Sequence, residues 1–595
     1  MIDMQRERAR QVLDAASLGR LDRRRFIALS MAVGLVGIVG KEAVAQAAAA
    51  GAKQSSNRAS LAKAYDYVIV GAGPAGCVLA RRLVDHGATV LLIEAGGTDQ
   101  QSSITEPSVW FTNIGGANDW GRTTVAQPQL DNRELLIGTG KVLGGGSSIN
   151  GCVWSRGSPH DFDTWAYEGC HGWSFAEVLP VYRHIENWEG GASEWRGAGG
   201  PISIRRPAHP HPAAVAWVTA AKQMGLPINE DVNGQRLDGA GLCNLTVNAD
   251  GTRSSAVRGY LNPVLNRRQL TVLLNTLVTR LTFEGRRCTG VQIADGTATR
   301  EVRAIQEVIV TAGGIGSPHL LLRSGIGPAA DLKRLGLDVV TDLPGVGQNF
   351  QDHPLLQGVV LEYRGDMPKP PLGSNAAEAT LFHRSRADLP GPDLQPVLME
   401  LPVITPAIRK KYGNVPQNAF TLAPGLVRPA SRGSVTLAGA DPNAAPIVDA
   451  AFLREEEDVR AAMLATELCR ELGRQKAFDD IRLREVMPGK PLDREELRDF
   501  VRRSATSYFH PAGTCRMGTS HLCVVDPELR VRGVEGLRVC DSSVMPTIST
   551  GNTCAPTLVI AEKAAALLTA ANRSAGARDF AAPAVQTGDI HAIGS

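Results

Sequence analysis

A glycine-rich turn between two short apolar runs is the feature that most restricts how this chain can fold. The first run covers Tyr65 to Val70, a helical stretch extends to His86, and a second run covers Thr89 to Ile93. Three glycines in the order G-x-G-x-x-G join the first run to the helical stretch: Gly71, Gly73 and Gly76. Strand, turn, helix and strand in this order predict a βαβ unit, the opening of a doubly wound α/β fold.

Each residue of this turn has a physical role in binding a dinucleotide. Gly71 permits the tight turn, Gly73 lets the backbone approach a pyrophosphate, and Gly76 lets the helix pack closely on the strand. Pro74 and Ala75 begin the helix, whose N-terminus attracts phosphate groups. We therefore predict that this loop binds a dinucleotide.

An acidic residue completes the pattern. Glu94 ends the second strand about 20 residues after the glycines, where an acid binds a ribose hydroxyl. A glycine-rich turn alone is weak support in a chain with 63 glycines, but strand, helix, second strand and acid all coincide. The pattern favours a dinucleotide site over a structural turn, without distinguishing FAD from NAD.

Length and charge restrict the function further. At 595 residues the chain is too long for one ordinary hydrophobic core, which indicates two connected domains with room for a buried cofactor. The formal net charge is +3 and no Lys/Arg stripe is interleaved with aromatic residues, so we expect no nucleic-acid partner. Neither a G-x-S-x-G elbow nor a P-loop occurs, so serine hydrolysis and nucleoside triphosphate chemistry have no local support.

Cysteine and histidine spacing gives no sign of a metal site. The ten cysteines are scattered, with no C-x-x-C pair, so we expect neither zinc nor bound haem. Buried free thiols are the favoured interpretation, and a disulfide in an oxidising compartment is the alternative. His209 and His211 flank a proline and are interpreted as a surface loop, while His353 before Pro354 is interpreted as a turn. We predict no bound metal.

The amino terminus resembles an export signal. Three arginines at 23–25 precede an apolar run to Val39, and Ala43-Val44-Ala45 offers a cleavage site. The run is shorter than the ~20 residues that span a bilayer, which favours cleavage over a retained anchor. We predict a twin-arginine signal peptide over 1–45, a flexible leader over 46–63 and a flexible tail over 573–595. The mature protein is expected to be periplasmic or secreted, exported folded by the twin-arginine machinery, without stable membrane insertion.

Three further segments are similar to signatures of the glucose-methanol-choline (GMC) oxidoreductase family. The first is the loop 140–151, GKVLGGGSSING. The second is 313–327, GGIGSPHLLLRSGIG, and the third is 508–518, YFHPAGTCRMG, followed by GNTCAPT at 551–557. These matches occur in order and cover nearly all of the chain except its two ends, so the chain is identified as a member of this family.

The resemblance implies a fold and a domain organisation. We expect an α/β protein with a Rossmann-like FAD-binding domain and a discontinuous substrate domain built on an antiparallel β-sheet covered by helices. The FAD-binding domain is predicted to comprise 64–167, 240–353 and 505–572. The substrate-binding domain is predicted to comprise 168–239 and 354–504.

The resemblance also assigns the site. His510 and Asn552 match the family's two catalytic positions, and Asn552 also fits the N-cap of the helix that follows, so that the two roles can be combined. Asp541 is expected either to contact the flavin ribityl chain or to cap a helix. Ile149 stands where some members carry a histidine that attaches FAD covalently, so we expect noncovalent FAD. The other predicted FAD-binding residues, besides those of the first loop and Glu94, are Gly144, Gly145, Ser147, Asn150, Gly151, Val278, Asn552 and Thr553.

Alcohol oxidation explains these residue types. A base must remove the hydroxyl proton while hydride leaves for flavin N5, and an imidazole, whose ordinary pKa lies near neutral pH, is the natural choice at His510. The amide of Asn552 can hold the substrate oxygen in line. We predict oxidation of a primary or benzylic alcohol to the aldehyde, with electrons passed to a quinone or cytochrome.

Other interpretations stay open at this stage. An oxygen-reducing alcohol oxidase, an FAD-containing hydroxynitrile lyase and a non-catalytic FAD-binding protein all fit parts of the pattern. Glu400 is interpreted as a surface carboxylate, with a place in the substrate pocket, where it would attract a cation, as the alternative. Flavin bleaching by an alcohol would separate oxidation from the lyase reaction.

Overall fold

The fold is described from a computed structural model that covers residues 61–295, 298–441 and 444–579, the last nine as backbone only. The predicted signal peptide (1–45) lies outside the described residues, as do the leader up to residue 60 and the tail from residue 580. Residues 573–579, predicted to belong to the flexible tail, are instead the end of helix Cys554–Asp579.

The larger sheet contains the predicted βαβ unit. Strand Ala64–Val70, helix Pro74–Asp85 and strand Val90–Ile93 follow one another as the glycine pattern requires. Parallel pairing buries Val90–Ile93 completely, which its four consecutive apolar residues allow. In spatial order the six strands are Leu270–Leu273, Val90–Ile93, Ala64–Val70, Ala298–Val310, Arg287–Asp295 and Val278–Glu284. A seventh strand, Leu537–Val539, runs parallel to the end of Ala298–Val310.

The second sheet has six strands, and every neighbouring pair is antiparallel, as expected. Its apolar face packs on helices, with Trp217 and Phe500 among the buried side chains. The covering helices are Pro212–Gln223, Glu456–Arg474 and Arg494–Ser504. In spatial order the strands are Arg482–Met487, Val359–Tyr363, Ala419–Ala423, Val397–Met399, Ala379–Phe382 and Gly239–Leu242.

The remaining α-helices and the small strand pairs lie outside the two large sheets. The other helices are Ser102–Thr105, Gly146–Ile149, Pro159–Tyr167, Phe175–Ile185, Gly313–Arg323, Ala329–Arg334, Pro406–Tyr412 and Cys554–Asp579. Small strand pairs are Arg122–Thr123 with Leu136–Ile137, Val153–Trp154 with Asn244–Leu245, Glu186–Trp188 with Ile202–Ile204, Ile326–Gly327 with Thr341–Asp342, and Pro354–Leu356 with Ala505–Ser507. A three-stranded sheet contains Gln348–Phe350, Gly433–Thr436 and Ile447–Asp449.

Two segments of the structure do not follow the predicted domain boundaries. Strand Gly239–Leu242 is the edge of the antiparallel sheet, so a boundary at residue 240 divides a strand. Helix Phe175–Ile185, expected in the substrate domain, buries Val178, Tyr182 and Ile185 in the hydrophobic core of the larger sheet. The apolar face of this helix, and not its place in the chain, decides where it packs. The domain division itself stays a prediction.

No helix within the described residues is long and apolar enough to cross a bilayer. Nor do the described residues contain a group of three or more His, Cys, Asp or Glu side chains placed to hold a metal ion. All ten cysteines are free thiols, and nine of them are buried.

Candidate active site

A cavity of about 490 Å³ lies where the parallel strands of the larger sheet end. The predicted site residues that line it are Gly71, Gly73, Pro74, Ala75, Glu94, Gly145, Ser147, Asn150, Gly151, Val278, His510, Asp541, Asn552 and Thr553. Residues from four widely separated parts of the sequence therefore meet around one space. The carboxyl edge of a parallel sheet is where α/β proteins bind their ligands.

Two predicted binding residues do not line this cavity. A side chain at Gly76 would overlap the carbonyl oxygen of Gly71, so Gly76 serves helix packing. Gly144 has φ +87°, and a side chain there would overlap the hydroxyl of Ser148. Both glycines shape the loops that surround the cofactor site without facing it.

Other glycines leave the room that a dinucleotide needs. At Gly73 the nearest atom to an added Cβ is the Thr311 carbonyl oxygen at 3.9 Å, and at Gly146 and Gly313 nothing lies within 4 Å. All three line the cavity. Gly73 is also the N-cap of helix Pro74–Asp85, and no side chain caps it, so backbone N–H groups remain for phosphates. These features fit FAD.

Glu94 ties the second strand to the glycine loop. Its Oε2 accepts a hydrogen bond from the Ala72 N–H at 2.9 Å and its Oε1 accepts one from the Gly96 N–H at 2.8 Å. Burial raises the pKa of Glu94 to about 7, although both backbone hydrogen bonds favour the ionised form. Each carboxylate oxygen keeps a lone pair for a ribose hydroxyl, and that contact stays a prediction.

Asp541 performs the capping role considered above. Its Oδ1 accepts the Ser543 N–H at 2.8 Å, and its Oδ2 accepts the Gly313 N–H at 2.8 Å and the Ser317 hydroxyl at 2.6 Å. The carboxylate thus joins the last parallel strand to the start of helix Gly313–Arg323. The Asp541 carboxylate also lines the cavity. Its contact with the ribityl chain of FAD stays a prediction.

The second glycine-rich loop is held by a residue that the sequence did not single out. Arg253 is buried, and its Nη1 donates to the Asn150 carbonyl oxygen at 2.6 Å and to Asn150 Oδ1 at 2.7 Å. Ser147 donates its hydroxyl to the Gly144 carbonyl oxygen at 2.7 Å and accepts the Ala256 N–H at 3.2 Å. No local pattern marks Arg253, because its partners are about a hundred residues away.

His510 and Asn552 meet inside the cavity, as the family resemblance implied. Asn552 Nδ2 lies 3.2 Å from His510 Nε2, and Asn552 Oδ1 accepts a hydrogen bond from Gln395 Nε2 at 3.2 Å. The closing helix begins at Cys554, so Asn552 precedes its N-cap position, and its side chain contacts His510 and Gln395. The capping interpretation of Asn552 is therefore wrong.

A second histidine lies directly behind His510. His353 Nδ1 is 3.0 Å from His510 Nδ1, and the Tyr508 ring stacks on the His510 ring with 4.8 Å between the ring centres. Sequence analysis interpreted His353 as a turn, whereas it is fully buried beside the candidate base. Its neighbour Asp352 accepts the backbone N–H of His510 at 2.8 Å. The proximity depends on the pairing of strand Pro354–Leu356 with Ala505–Ser507, which local sequence does not reveal.

Hydrogen bonding favours one tautomer of His510. In the amide orientation of the structure the Asn552 nitrogen donates to His510 Nε2, which assigns the His510 proton to Nδ1. That proton is then donated to His353 Nδ1. Burial lowers the pKa of His510 to about 3, which keeps the ring neutral and leaves the Nε2 lone pair available.

The cavity wall near His510 is largely apolar. Its described side chains include Trp110, Ile114, Leu355, Val397, Met399, Tyr508 and Phe509. Among the described lining residues the only carboxylates are Glu94 and Asp541. Glu400 is neither a surface residue nor part of the lining, since it is 3% exposed. It directly follows strand Val397–Met399, its backbone N–H donates to the Ala376 carbonyl oxygen at 2.9 Å, and it is close enough to Glu378 to feel its charge.

A two-sheet fold with a dinucleotide cradle beside a neutral histidine and an amide defines a cofactor-dependent oxidoreductase. A family model described as GMC oxidoreductase matches residues 65–355, and a second with the same description matches 429–561. The chain belongs to the GMC oxidoreductase family. It is an FAD-binding enzyme that acts on CH–OH donors, and the predicted fold class and family are confirmed.

Individual relatives agree with this assignment. Proteins named oxygen-dependent choline dehydrogenase, from Brucella ovis and Sinorhizobium fredii, are 39% and 40% identical to this chain over 84% of it and 94% of their own length. Pyridoxine 4-oxidase from Mesorbium loti has a similar structure, with a TM-score of 0.81 at 33% identity over 85% of this chain and 99% of that one. Formate oxidase from Aspergillus oryzae RIB40 reaches a TM-score of 0.78 at 27% identity, over 86% of this chain and 99% of that one.

Proposed function

We propose that the enzyme oxidises a primary or benzylic alcohol to the aldehyde, with His510 as the base. The observation that carries this proposal is the position of His510 Nε2, 3.2 Å from the Asn552 amide nitrogen, where the tautomer protonated on Nδ1 offers a free lone pair. When bound, FAD supplies the hydride acceptor. The residues of the chain then have to bind the alcohol, orient it and take its proton.

One substrate oxygen can contact both polar groups. A hydroxyl placed between His510 and Asn552 donates its proton to Nε2 and accepts the amide N–H, which fixes the direction of the carbon–oxygen bond. Proton transfer turns His510 into an imidazolium whose Nδ1–H still donates to His353. The hydrogen bond between the two histidines therefore survives the step, and no side chain has to rearrange.

The apolar wall supports a benzylic or simple primary alcohol. Trp110, Leu355 and Met399 offer contact area and no charge. A cationic amino alcohol is the second candidate, because the sequence relatives are named choline dehydrogenase and aromatic rings bind quaternary ammonium groups. Comparing choline with benzyl alcohol under identical conditions separates these two substrate classes.

We propose noncovalent FAD and export through the twin-arginine route. Ile149, which has no nucleophilic atom, lines the cavity in the second glycine-rich loop. Acid denaturation should therefore release all flavin into the supernatant. Export would bring the enzyme close to respiratory acceptors, which supports a quinone or cytochrome over oxygen. Peroxide formed in air at the rate of alcohol consumption would overturn that choice of acceptor.

The test is an anaerobic titration of the purified enzyme with primary, benzylic, sugar and amino alcohols. We expect an alcohol to bleach the visible absorbance of the flavin, and His510→Ala to slow bleaching about 10²- to 10⁴-fold. His521→Ala, at an exposed histidine, is the matched control. A flavin that no alcohol bleaches would favour the hydroxynitrile lyase or a non-catalytic role, and a protein without flavin would contradict the proposal altogether.

A further inference from the structure

One end of the cavity is lined by three basic side chains that the proposed reaction does not use: Arg122, His319 and Arg323. His319 and Arg323 are four residues apart on helix Gly313–Arg323 and share a face with Gly316. Arg122 comes from the short strand Arg122–Thr123, and its Nη2 lies 3.9 Å from where a Cβ at Gly316 would stand. Two distant segments of the chain thus bring their basic groups to one wall.

The two guanidinium groups keep unused hydrogen-bond donors. Arg323 is 9% exposed, and its Nη2 has no hydrogen-bond partner. Arg122 stacks on the Trp120 ring, 4.4 Å from the ring centre, and has no hydrogen-bond acceptor among the described residues. Stacking holds the plane of Arg122 and leaves its N–H edge free.

Neither of the two nearby carboxylates, Asp119 and Asp441, takes the place of an anionic ligand for these arginines. Asp119 acts on Arg122 electrostatically, but its oxygens accept backbone N–H groups of Gly115, Gly121 and Thr139. Asp441 acts on Arg323 electrostatically, and that does not satisfy the Nη2 of Arg323. Arg323 is buried and Arg122 is partly buried, and guanidinium groups removed from water without hydrogen-bonded acceptors are costly, so an arriving anion would offset their desolvation.

The electrostatics of the three groups agree with this interpretation. Burial lowers the pKa of Arg122 to about 10, and burial with the charges of Arg323 and Arg122 lowers the pKa of His319 to about 3. Mutual repulsion of this kind is relieved by a negative charge placed between the groups.

We propose that Arg122, His319 and Arg323 form an anion-binding subsite that takes a phosphate or carboxylate group at this end of the cofactor cavity. Planar guanidinium forks match both anions. The anion belongs to a separate small molecule that reaches the cavity, because the pyrophosphate of FAD is expected at the N-terminus of helix Pro74–Asp85. The subsite requires the cavity and not the alcohol chemistry, so either proposal can fail without the other.

The first measurement is calorimetric titration of the FAD-loaded enzyme with inorganic phosphate. The second is release of FAD on dilution, followed by the fluorescence of free flavin. Both are made on wild type, Arg122→Gln and Arg323→Gln, with Arg334→Gln at an exposed arginine as the matched control. Arg122→Lys keeps the positive charge but lacks the planar guanidinium fork. It replaces the glutamine variants in both measurements if they fail to fold.

A separate anionic molecule predicts that the loaded enzyme binds phosphate and that the glutamine variants lose about tenfold in affinity while FAD release stays unchanged. If the loaded enzyme binds no phosphate and FAD is released faster from both variants, the arginines hold the cofactor itself, and the proposal of a separate subsite is overturned. The proposal is overturned if wild type, the arginine variants and Arg334→Gln agree in both measurements.

A third measurement uses the wild-type enzyme alone and therefore needs no variant. With ¹³C-labelled histidine, phosphate bound beside His319 should raise the pKa of that ring, because a nearby negative charge favours the imidazolium form. If phosphate binds to the loaded enzyme but leaves every histidine signal unchanged, it binds elsewhere, and the subsite is again contradicted.

Discussion

The Nδ1 atoms of His353 and His510 lie 3.0 Å apart, with the two ring planes at 81°. Only one of these atoms carries the shared proton, and the amide orientation of Asn552 on the far side of His510 favours His510. Under the proposed mechanism, His353 would be a positioning residue that holds the base in the tautomer with a free Nε2 lone pair. This relationship leads to the first prediction.

His353→Leu should lower kcat about tenfold and leave KM nearly unchanged, because the Nδ1–H of His510 loses its buried acceptor. His353→Asn keeps an acceptor oxygen and should retain most of the rate. Stopped-flow flavin reduction across a pH series measures both variants. Equal losses in the two variants, without any change in the pH profile, would mean that His353 only fills space.

Asn552→Ala should lower kcat/KM about 10- to 100-fold, because the substrate oxygen loses a donor aimed at it. Asn552→His restores an N–H donor and should recover part of the loss. Steady-state kinetics with the best alcohol of the screen measures both, and the flavin spectrum checks that cofactor content is unchanged. Full activity of Asn552→Ala would contradict the proposed orientation of the substrate.

The buried pair of Glu378 and Glu400 should make stability depend on pH. Burial, and then the charge of Glu378, raise the pKa of Glu400 to about 8. The unfolded chain releases this proton near the ordinary glutamate pKa, whereas the folded protein keeps it, so the free energy of unfolding falls as pH rises towards 8. Thermal unfolding should show a slope of at most about 1.4 kcal/mol per pH unit from this group.

Glu400→Gln should flatten that pH dependence, because the amide cannot ionise. Glu467→Gln, at an exposed glutamate on a covering helix, is the control and should leave the curve unchanged. Identical curves for wild type and Glu400→Gln would show that the carboxyl titrates in the folded protein as it does in water.

Two glycine substitutions should separate cofactor binding from folding. Gly73→Ala adds a methyl group that meets only the Thr311 carbonyl oxygen at 3.9 Å, so the fold tolerates it while the methyl intrudes on the dinucleotide. We expect weaker FAD binding and an unchanged melting temperature of the flavin-free protein. Gly76→Ala would overlap the Gly71 carbonyl and should destabilise the protein itself. Equal FAD affinity in Gly73→Ala and wild type would place the pyrophosphate elsewhere.

The export prediction concerns residues outside the described part of the chain. Replacing Arg23, Arg24 and Arg25 together by lysine should hold the precursor in the cytoplasm, since the twin-arginine machinery requires the arginine pair. Cell fractionation and the mass of the mature chain measure this. Unchanged export of the triple-lysine variant would point to a different route.

Local sequence determined the dinucleotide loop. Strand, glycines, helix and Glu94 are encoded within about thirty consecutive residues, and a βαβ unit of that length forms from its own periodicity. The family resemblance identified His510 and Asn552 as candidate site residues, and the structure brings their side chains into contact. Segments whose hydrophobic period is clear, such as helix Glu456–Arg474, were also predictable.

Tertiary structure alone decided which distant side chains meet. From sequence, His353 was interpreted as a turn, and strand pairing places it against His510. Glu400 was interpreted as a surface carboxylate, and tertiary packing buries it just after strand Val397–Met399. Arg122 and Arg323 are two hundred residues apart, and their meeting depends on how helix Gly313–Arg323 packs. The physical reason is common to all of these cases. Period and propensity act over a few residues, whereas the partners of a buried polar group are chosen by the packing of whole sheets.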